Sequence, residues 1–238
     1  QKFQSIGSNT TEHWPWHAVS NVIRAHSLIR NFEAVNADRT AITGISWGGY
    51  TTCIAASIDH RFKAAVPVYG CGFLYDGESV QRPAIDGLPQ KLRQRWIRRY
   101  DPSSHLINCT VPILFVNGTN DRHYPLRSSS RSFRTVPTGR NQIRIEVNMP
   151  HSHQAGWKPH EICRFVDSHL KDEPALPVFS TPDRSEALVS VQYHSQLALQ
   201  SASLHFTRDG GPLRNRQWNS VPATVNGNKI HSDALPAD

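Results

Sequence analysis

No apolar run in this chain approaches the roughly 18–20 residues that a membrane-spanning helix needs, so no helical span is expected. Acidic residues are outnumbered, 19 against 26 Lys and Arg, for a net charge of +7. Such a balance suits nucleic acid or another anionic partner. Zinc-finger spacing and aromatic RNA-binding motifs are both missing, however, so no nucleic-acid partner is expected. Much of the positive charge is local: Lys91, Arg93, Arg95, Arg98 and Arg99 surround Leu92, Trp96 and Ile97. The apolar members recur at helical spacing, which reads as an amphipathic helix with a solvated basic face. Cysteine is scarce. Cys53, Cys71, Cys109 and Cys163 form no CxxC pair, which argues against a zinc site. Each lies beside an apolar segment and is expected as a small buried thiol rather than half of a disulfide. The opening residues lack the charged, apolar and small-residue order of a signal peptide, and the cysteines leave the compartment open.

What is present is enough for a real core. The 238 residues suit one large or two small domains, although the apolar content of 38% is low. The first ten residues are polar and uninformative. A helix is predicted from Pro15 to Ile29, with Val19, Val22, Ile23 and His26 at helical spacing and Pro15 tolerated in the first turn. Strands are predicted over 40–45, 63–69, 111–117 and 143–147, and helices from 47 to 58, 126 to 136 and 159 to 170. Alternation of this kind means a parallel sheet with helical crossovers, an α/β class. A Pro- and Gly-rich excursion over 70–109 carries the basic helix. After Leu170 the texture changes. Pro174, Pro177 and Pro182 mark a linker over 172–186, separating a catalytic domain over 1–171 from a small β module over 187–238. In that module 187–193 and 197–206 alternate apolar and polar residues, and Arg208-Asp209-Gly210-Gly211 signals a turn. Tyr193, Phe206 and Trp218 are either its core or a binding surface.

The strongest chemical signal is Gly44-Ile45-Ser46-Trp47-Gly48. A serine nucleophile must be lifted clear of the carboxyl edge of a sheet, and a sharp strand-to-helix turn does this. Glycines on either side let strand and helix approach closely. The same turn aims the Trp47 backbone N–H, at a helix N-terminus, toward a developing oxyanion. The five-residue pattern arises by chance in Gly-rich chains, but here it falls between a predicted strand and a predicted helix. An acid and then a histidine should follow in chain order. Asp121 stands just beyond the apolar strand 111–117, in Gly118-Thr119-Asn120-Asp121, where a bland reading is a turn-forming aspartate. Met149-Pro150-His151-Ser152-His153 follows the strand 143–147. His151 is nearer the strand end and is the expected base; His153 is the alternative. His13 and His17 are read as packing residues. In this scheme His151 takes the Ser46 proton as Ser46 attacks an acyl carbonyl. Asp121 orients the imidazole, and water hydrolyses the acyl-enzyme, with no metal or organic cofactor.

Together with Trp14-Pro15-Trp16-His17-Ala18, Ala65-Val66-Pro67-Val68-Tyr69-Gly70 and Val111-Pro112-Ile113-Leu114-Phe115-Val116-Asn117-Gly118, these motifs resemble acetylxylan-esterase-like α/β hydrolases. Those enzymes are related to dienelactone hydrolases and to prolyl-oligopeptidase-type serine hydrolases. The resemblance covers roughly residues 12–170. It implies an α/β-hydrolase fold and carboxylester hydrolysis on a small ester or acetylated carbohydrate, with deacetylation of polysaccharide as one form of it. It also implies a secreted or periplasmic setting, with Ser46, Asp121 and His151 in the catalytic roles. The β module resembles an immunoglobulin-like tail. A prolyl-oligopeptidase-type peptidase and a non-catalytic remnant with a binding tail are the alternatives. The resemblance also implies several strands and a second oxyanion donor ahead of the elbow, yet only 43 residues precede Gly44. The chain therefore reads as lacking its N-terminal strands and as part of a longer protein, with its β module cut short at 233–238. The elbow strand is expected to show an unpaired edge, and this chain alone to be poorly soluble and weakly active.

Overall fold

The computed structural model describes residues 2–185 and 188–232. Two 3-10 turns lead into α1 (Trp14–Ile29). Then follow β1 (Ala41–Ile45), α2 (Trp47–Ile58) and β2 (Ala64–Val68). A long excursion holds α3 (Arg82–Asp86) and α4 (Gln90–Tyr100). It returns to β3 (Ile113–Gly118), α5 (Leu126–Thr135), β4 (Asn141–Glu146), α6 (His153–Gly156) and α7 (His160–Leu170). The four strands pair in parallel in the order β1-β2-β3-β4, with Gly44 opposite Pro67 and Val68 opposite Val116. Among the described residues β1 is therefore an edge strand.

β2 and β3 carry apolar residues on both faces because both faces are covered. Val66, Val68, Leu114 and Val116 join one core cluster, while Ala65, Ile113 and Phe115 join the other. The basic helix α4 behaves as its pattern predicts: Trp96 and Tyr100 are buried, and Arg98 and Arg99 face solvent. A buried polar knot ties α1 to the end of α2. His26 Nδ1 lies 2.8 Å from Asp59 Oδ2, and its Nε2 lies 2.7 Å from Thr40 Oγ1. Burial opposes ionisation of Asp59, but hydrogen bonds from Arg61 and His26 prevail and hold the carboxyl well below its usual range.

The rest of the chain is antiparallel. β5 (Val178–Phe179), β6 (Asp183–Ser185), β7 (Leu188–His194), β8 (Ala202–Phe206), β9 (Asn219–Asn226) and β10 (Lys229–Ser232) form a second sheet. Its order is β5-β7-β10-β9-β8, with β6 also on β7. Three local expectations need correction. The segment read as a linker contributes β5 and β6, both of which pair with β7; Pro177 and Pro182 fall outside the paired residues, where proline is tolerated. The strand expected over 197–206 begins only at Ala202, because the Ser195 side chain accepts from the Leu197 N–H and donates to its carbonyl, closing a turn. Cys163 is exposed while the other three cysteines are buried and free: α7 turns Ile162 and Phe165 inward and leaves Cys163 outside. The strand start expected at Ala187 and the module end at 233–238 lie outside the described residues. No helix among the described residues is long and apolar enough to cross a membrane.

Candidate active site

The turn from β1 into α2 holds Ser46 at φ 58° and ψ −116°, a conformation costly for a residue with a side chain. Two hydrogen bonds hold it there: the Ser46 N–H donates to the Val68 carbonyl (2.9 Å), and the Tyr50 N–H donates to the Ser46 carbonyl (2.9 Å). The flanking glycines act unequally. A Cβ on Gly44 would lie 2.5 Å from the backbone of Gly48, so strand and helix could not meet there. A Cβ on Gly48 would meet nothing within 4 Å, whereas one on Gly49 would lie 2.6 Å from the Val68 carbonyl. The close approach therefore rests on Gly44 and Gly49. Trp47 opens α2, and the first N–H groups of a helix have no intrahelical acceptor. Its indole is wedged between Trp14 and Tyr50, at 5.0 and 5.1 Å between ring centres.

The loop after β3 carries Asp121. Its Oδ1 accepts from the N–H groups of His123 (2.7 Å) and Tyr124 (2.9 Å), and its Oδ2 lies 2.6 Å from His151 Nδ1. Asn117 braces this loop by donating from Nδ2 to the Tyr124 carbonyl at 2.7 Å. The loop after β4 carries His151, and Tyr69 anchors it by donating to the Pro150 carbonyl at 2.6 Å. His151 Nε2 lies 3.0 Å from Ser46 Oγ. Asp121 is fully buried at its side chain while that of His151 is 23% exposed, so the imidazole is reachable and the carboxylate is not. The imidazole is also flanked by the rings of Tyr69 and His123, each 4.5 Å away.

Of the residues singled out from sequence, Ser46, His151 and Asp121 thus come together in one hydrogen-bonded row. His153 does not join them: it opens α6 on the exposed side and bonds neither Ser46 nor Asp121. His13 is buried against Tyr100, whose hydroxyl lies 2.6 Å from its Nδ1, and His17 contacts the Thr11 carbonyl. Sequence reasoning missed three neighbours. Tyr69 anchors the histidine loop. Asn120, beside the acid, reaches into the second sheet. Tyr124 is fully buried, and its hydroxyl makes no hydrogen bond of ordinary geometry. Burial, with Cys71, Asp121 and Cys53 nearby, pushes the Tyr124 phenol well above its usual range, against a smaller pull from Ser46 beside it. No sequence signal marks Tyr124 except its place three residues after the acid. Among the described residues no group of three or more His, Cys, Asp or Glu side chains is arranged to hold a metal ion.

Residues 1–171 match the sequence model of the prolyl oligopeptidase family. The chain belongs to this family. Prolyl oligopeptidase family members are serine hydrolases, and solved α/β hydrolases share the fold. An acetyl xylan esterase from Paenibacillus sp. R4 superposes with a TM-score of 0.57 at 20% identity, over 66% of this chain and 54% of that one. A puromycin-hydrolysing peptidase from Mycobacterium tuberculosis gives 0.57 at 22% identity, over 66% of this chain and 26% of its own. The acylaminoacyl peptidase of Pyrococcus horikoshii gives 0.53 at 19%, over 65% and 28%. The chain thus spans between about a quarter and just over half of these proteins. No curated protein matches it.

Proposed function

We propose that this member of the prolyl oligopeptidase family cleaves carboxylic esters, acetylated carbohydrate among them, through an acyl-enzyme on Ser46. The observation that carries the reading is the row Ser46 Oγ, His151 Nε2, His151 Nδ1, Asp121 Oδ2, with links of 3.0 and 2.6 Å. Ser46 Oγ attacks the acyl carbon while its proton passes to His151 Nε2. The imidazolium then protonates the leaving alcohol as the carbon–oxygen bond breaks. Water attacks the acyl-serine, losing a proton to His151, and the acid departs as Ser46 regains its hydrogen. Asp121 accepts from Nδ1–H throughout, fixing the tautomer and stabilising the imidazolium.

Two donors serve the oxyanion in this scheme. One is the Trp47 backbone N–H at the start of α2. The other is the Tyr124 hydroxyl. In the resting protein that buried hydroxyl has no hydrogen bond of ordinary geometry, only the weak pull of Ser46. Beside Ser46, it gains its partner as negative charge develops on the substrate oxygen. Its raised pKa keeps it protonated and able to donate. Tyr124→Phe is therefore expected to lower kcat by about 10²-fold with little change in KM. An unchanged kcat would remove Tyr124 from the oxyanion site and leave the Ser46 assignment standing.

The ester reading is tested against the peptidase one by paired assays. p-Nitrophenyl acetate is expected to turn over faster than a proline-containing peptide p-nitroanilide. Family membership favours the second reading as the alternative, and faster peptide cleavage than cleavage of any acetyl ester would establish it.

A further inference from the structure

The second sheet does not stand clear of the site. Its loop between β8 and β9 turns through a 3-10 segment (Leu213–Asn215) and comes to rest on the acid loop. Asn120, next to Asp121, directs its Nδ2 at the carbonyls of Leu213 (3.4 Å), Arg214 (3.1 Å) and Arg216 (2.9 Å). Three acceptors share two hydrogens, so the amide works as a clamp rather than a single bond. On the far side of the loop, Glu78 Oε1 accepts from the Leu213 N–H at 3.1 Å. Between this loop, the acid loop and the histidine loop lies an open cleft of about 570 Å³.

The cleft is positive. Arg122, Arg214 and Arg216 line it together with His123 and His151. Arg216 is partly committed, donating from Nε and Nη2 to the Gly211 carbonyl at 3.1 and 2.9 Å, which stiffens the loop. Arg122 and Arg214 are exposed, and neither side chain forms an ion pair or hydrogen bond among the described residues. The carboxylates nearby each accept hydrogen bonds, although Glu78 keeps its Oε2 buried without a partner. Asp121 is buried and held by His151 and two backbone N–H groups. Glu78 accepts from Leu213, and Asp209 accepts from the Gln217 N–H at 2.6 Å. His123 adds little charge near neutral pH, since burial, the neighbouring His151 and Arg122 lower its pKa against the pull of Asp121. The cleft stays positive because three guanidinium groups line it against the one carboxylate, Asp121.

We propose that this cleft binds a carboxylate carried on a sugar-sized part of the substrate, with Arg122 and Arg214 as its recognition groups. Guanidinium presents parallel N–H donors that match a planar carboxylate. The volume suits a sugar-sized group and is far more than a free ion needs. His151, which lines the cleft and also reaches Ser46, links the cleft to the nucleophile. The inference rests on the hydrolase reading only in calling the ligand part of a substrate; the binding itself is independent of turnover.

The test is therefore a binding one, on the full chain at low ionic strength, by ligand-observed NMR with glucuronate, glucose and inorganic phosphate as probes. Glucuronate is expected to bind at least tenfold more tightly than glucose. That preference should fall severalfold at 0.5 M salt, and it should be lost in Arg122→Gln/Arg214→Gln. Arg214→Gln alone, on an exposed loop, should weaken it. Arg98→Gln on the solvated face of α4 changes the net charge by the same single unit and should leave it intact. Equal binding of the two sugars, an effect of Arg98→Gln as large as that of Arg214→Gln, or phosphate binding without glucuronate binding would each overturn the proposal. Loss of turnover in Ser46→Ala tests the hydrolase reading separately.

Discussion

Ser46→Ala is expected to abolish labelling by a fluorophosphonate probe and to lower kcat by about 10⁴-fold or more. The argument is local. Among the described residues Ser46 is the hydroxyl that His151 Nε2 reaches, at 3.0 Å, and a serine hydroxyl without a base is a poor nucleophile at neutral pH. Removing the oxygen removes the atom that the probe phosphorylates and the atom on which the acyl group would rest. The bonds that shape the turn, Ser46 N–H to Val68 and Tyr50 N–H to Ser46, are backbone bonds and survive the change. An unaltered circular dichroism spectrum should accompany the loss. Labelling that persists in Ser46→Ala would show that another group is the nucleophile.

His151→Ala should cost a comparable factor, about 10⁴, while His153→Ala should leave turnover within a few-fold of the parent. The two histidines are two residues apart and differ in partners. His151 links Ser46 to Asp121, and His153 lies outside on α6. Truncating His151 also leaves the Asp121 carboxylate buried with only its two backbone donors, so some loss of stability is expected with the loss of rate. Added imidazole separates the two effects, since it can occupy the vacated space and restore part of the rate without refolding anything. The opposite pattern, a severe His153→Ala and a mild His151→Ala, would transfer the base role to His153.

The parts of this molecule legible in its sequence are those where backbone geometry restricts residue type. The elbow reads clearly because Gly44 cannot bear a Cβ against Gly48, although the second glycine of the motif, Gly48, meets nothing and the tight contact falls on Gly49 instead. The strands β2 and β3 read clearly because burial on both faces demands unbroken apolar runs. The acid and the histidine fall next to strand ends, where chain order and strand position narrow the choice. Less legible is whatever depends on contacts distant in sequence. Phe3 and Ile6, in a stretch that looks merely polar, are buried, with Phe3 against Trp96 at 4.9 Å. Asn120 looks like a turn residue until it meets carbonyls more than 90 positions away. β5 and β6 are too short for periodicity to register and exist because β7 offers them a free edge. Tyr124 carries no motif at all; only its burial and its unpaired hydroxyl in the folded chain single it out.

Ser46 also bears on how such a chain ages under mutation. Its positive φ costs about 1–3 kcal/mol for a residue with a side chain, against a net stability of about 5–15 kcal/mol for a typical domain. Glycine would take the same angle without that strain, and a single base change turns two of the six serine codons into glycine ones. A lineage freed from the need for a hydroxyl would thus drift downhill toward glycine at this position. Serine is the costlier residue for this turn, and Ser46→Gly is the substitution that would release that cost.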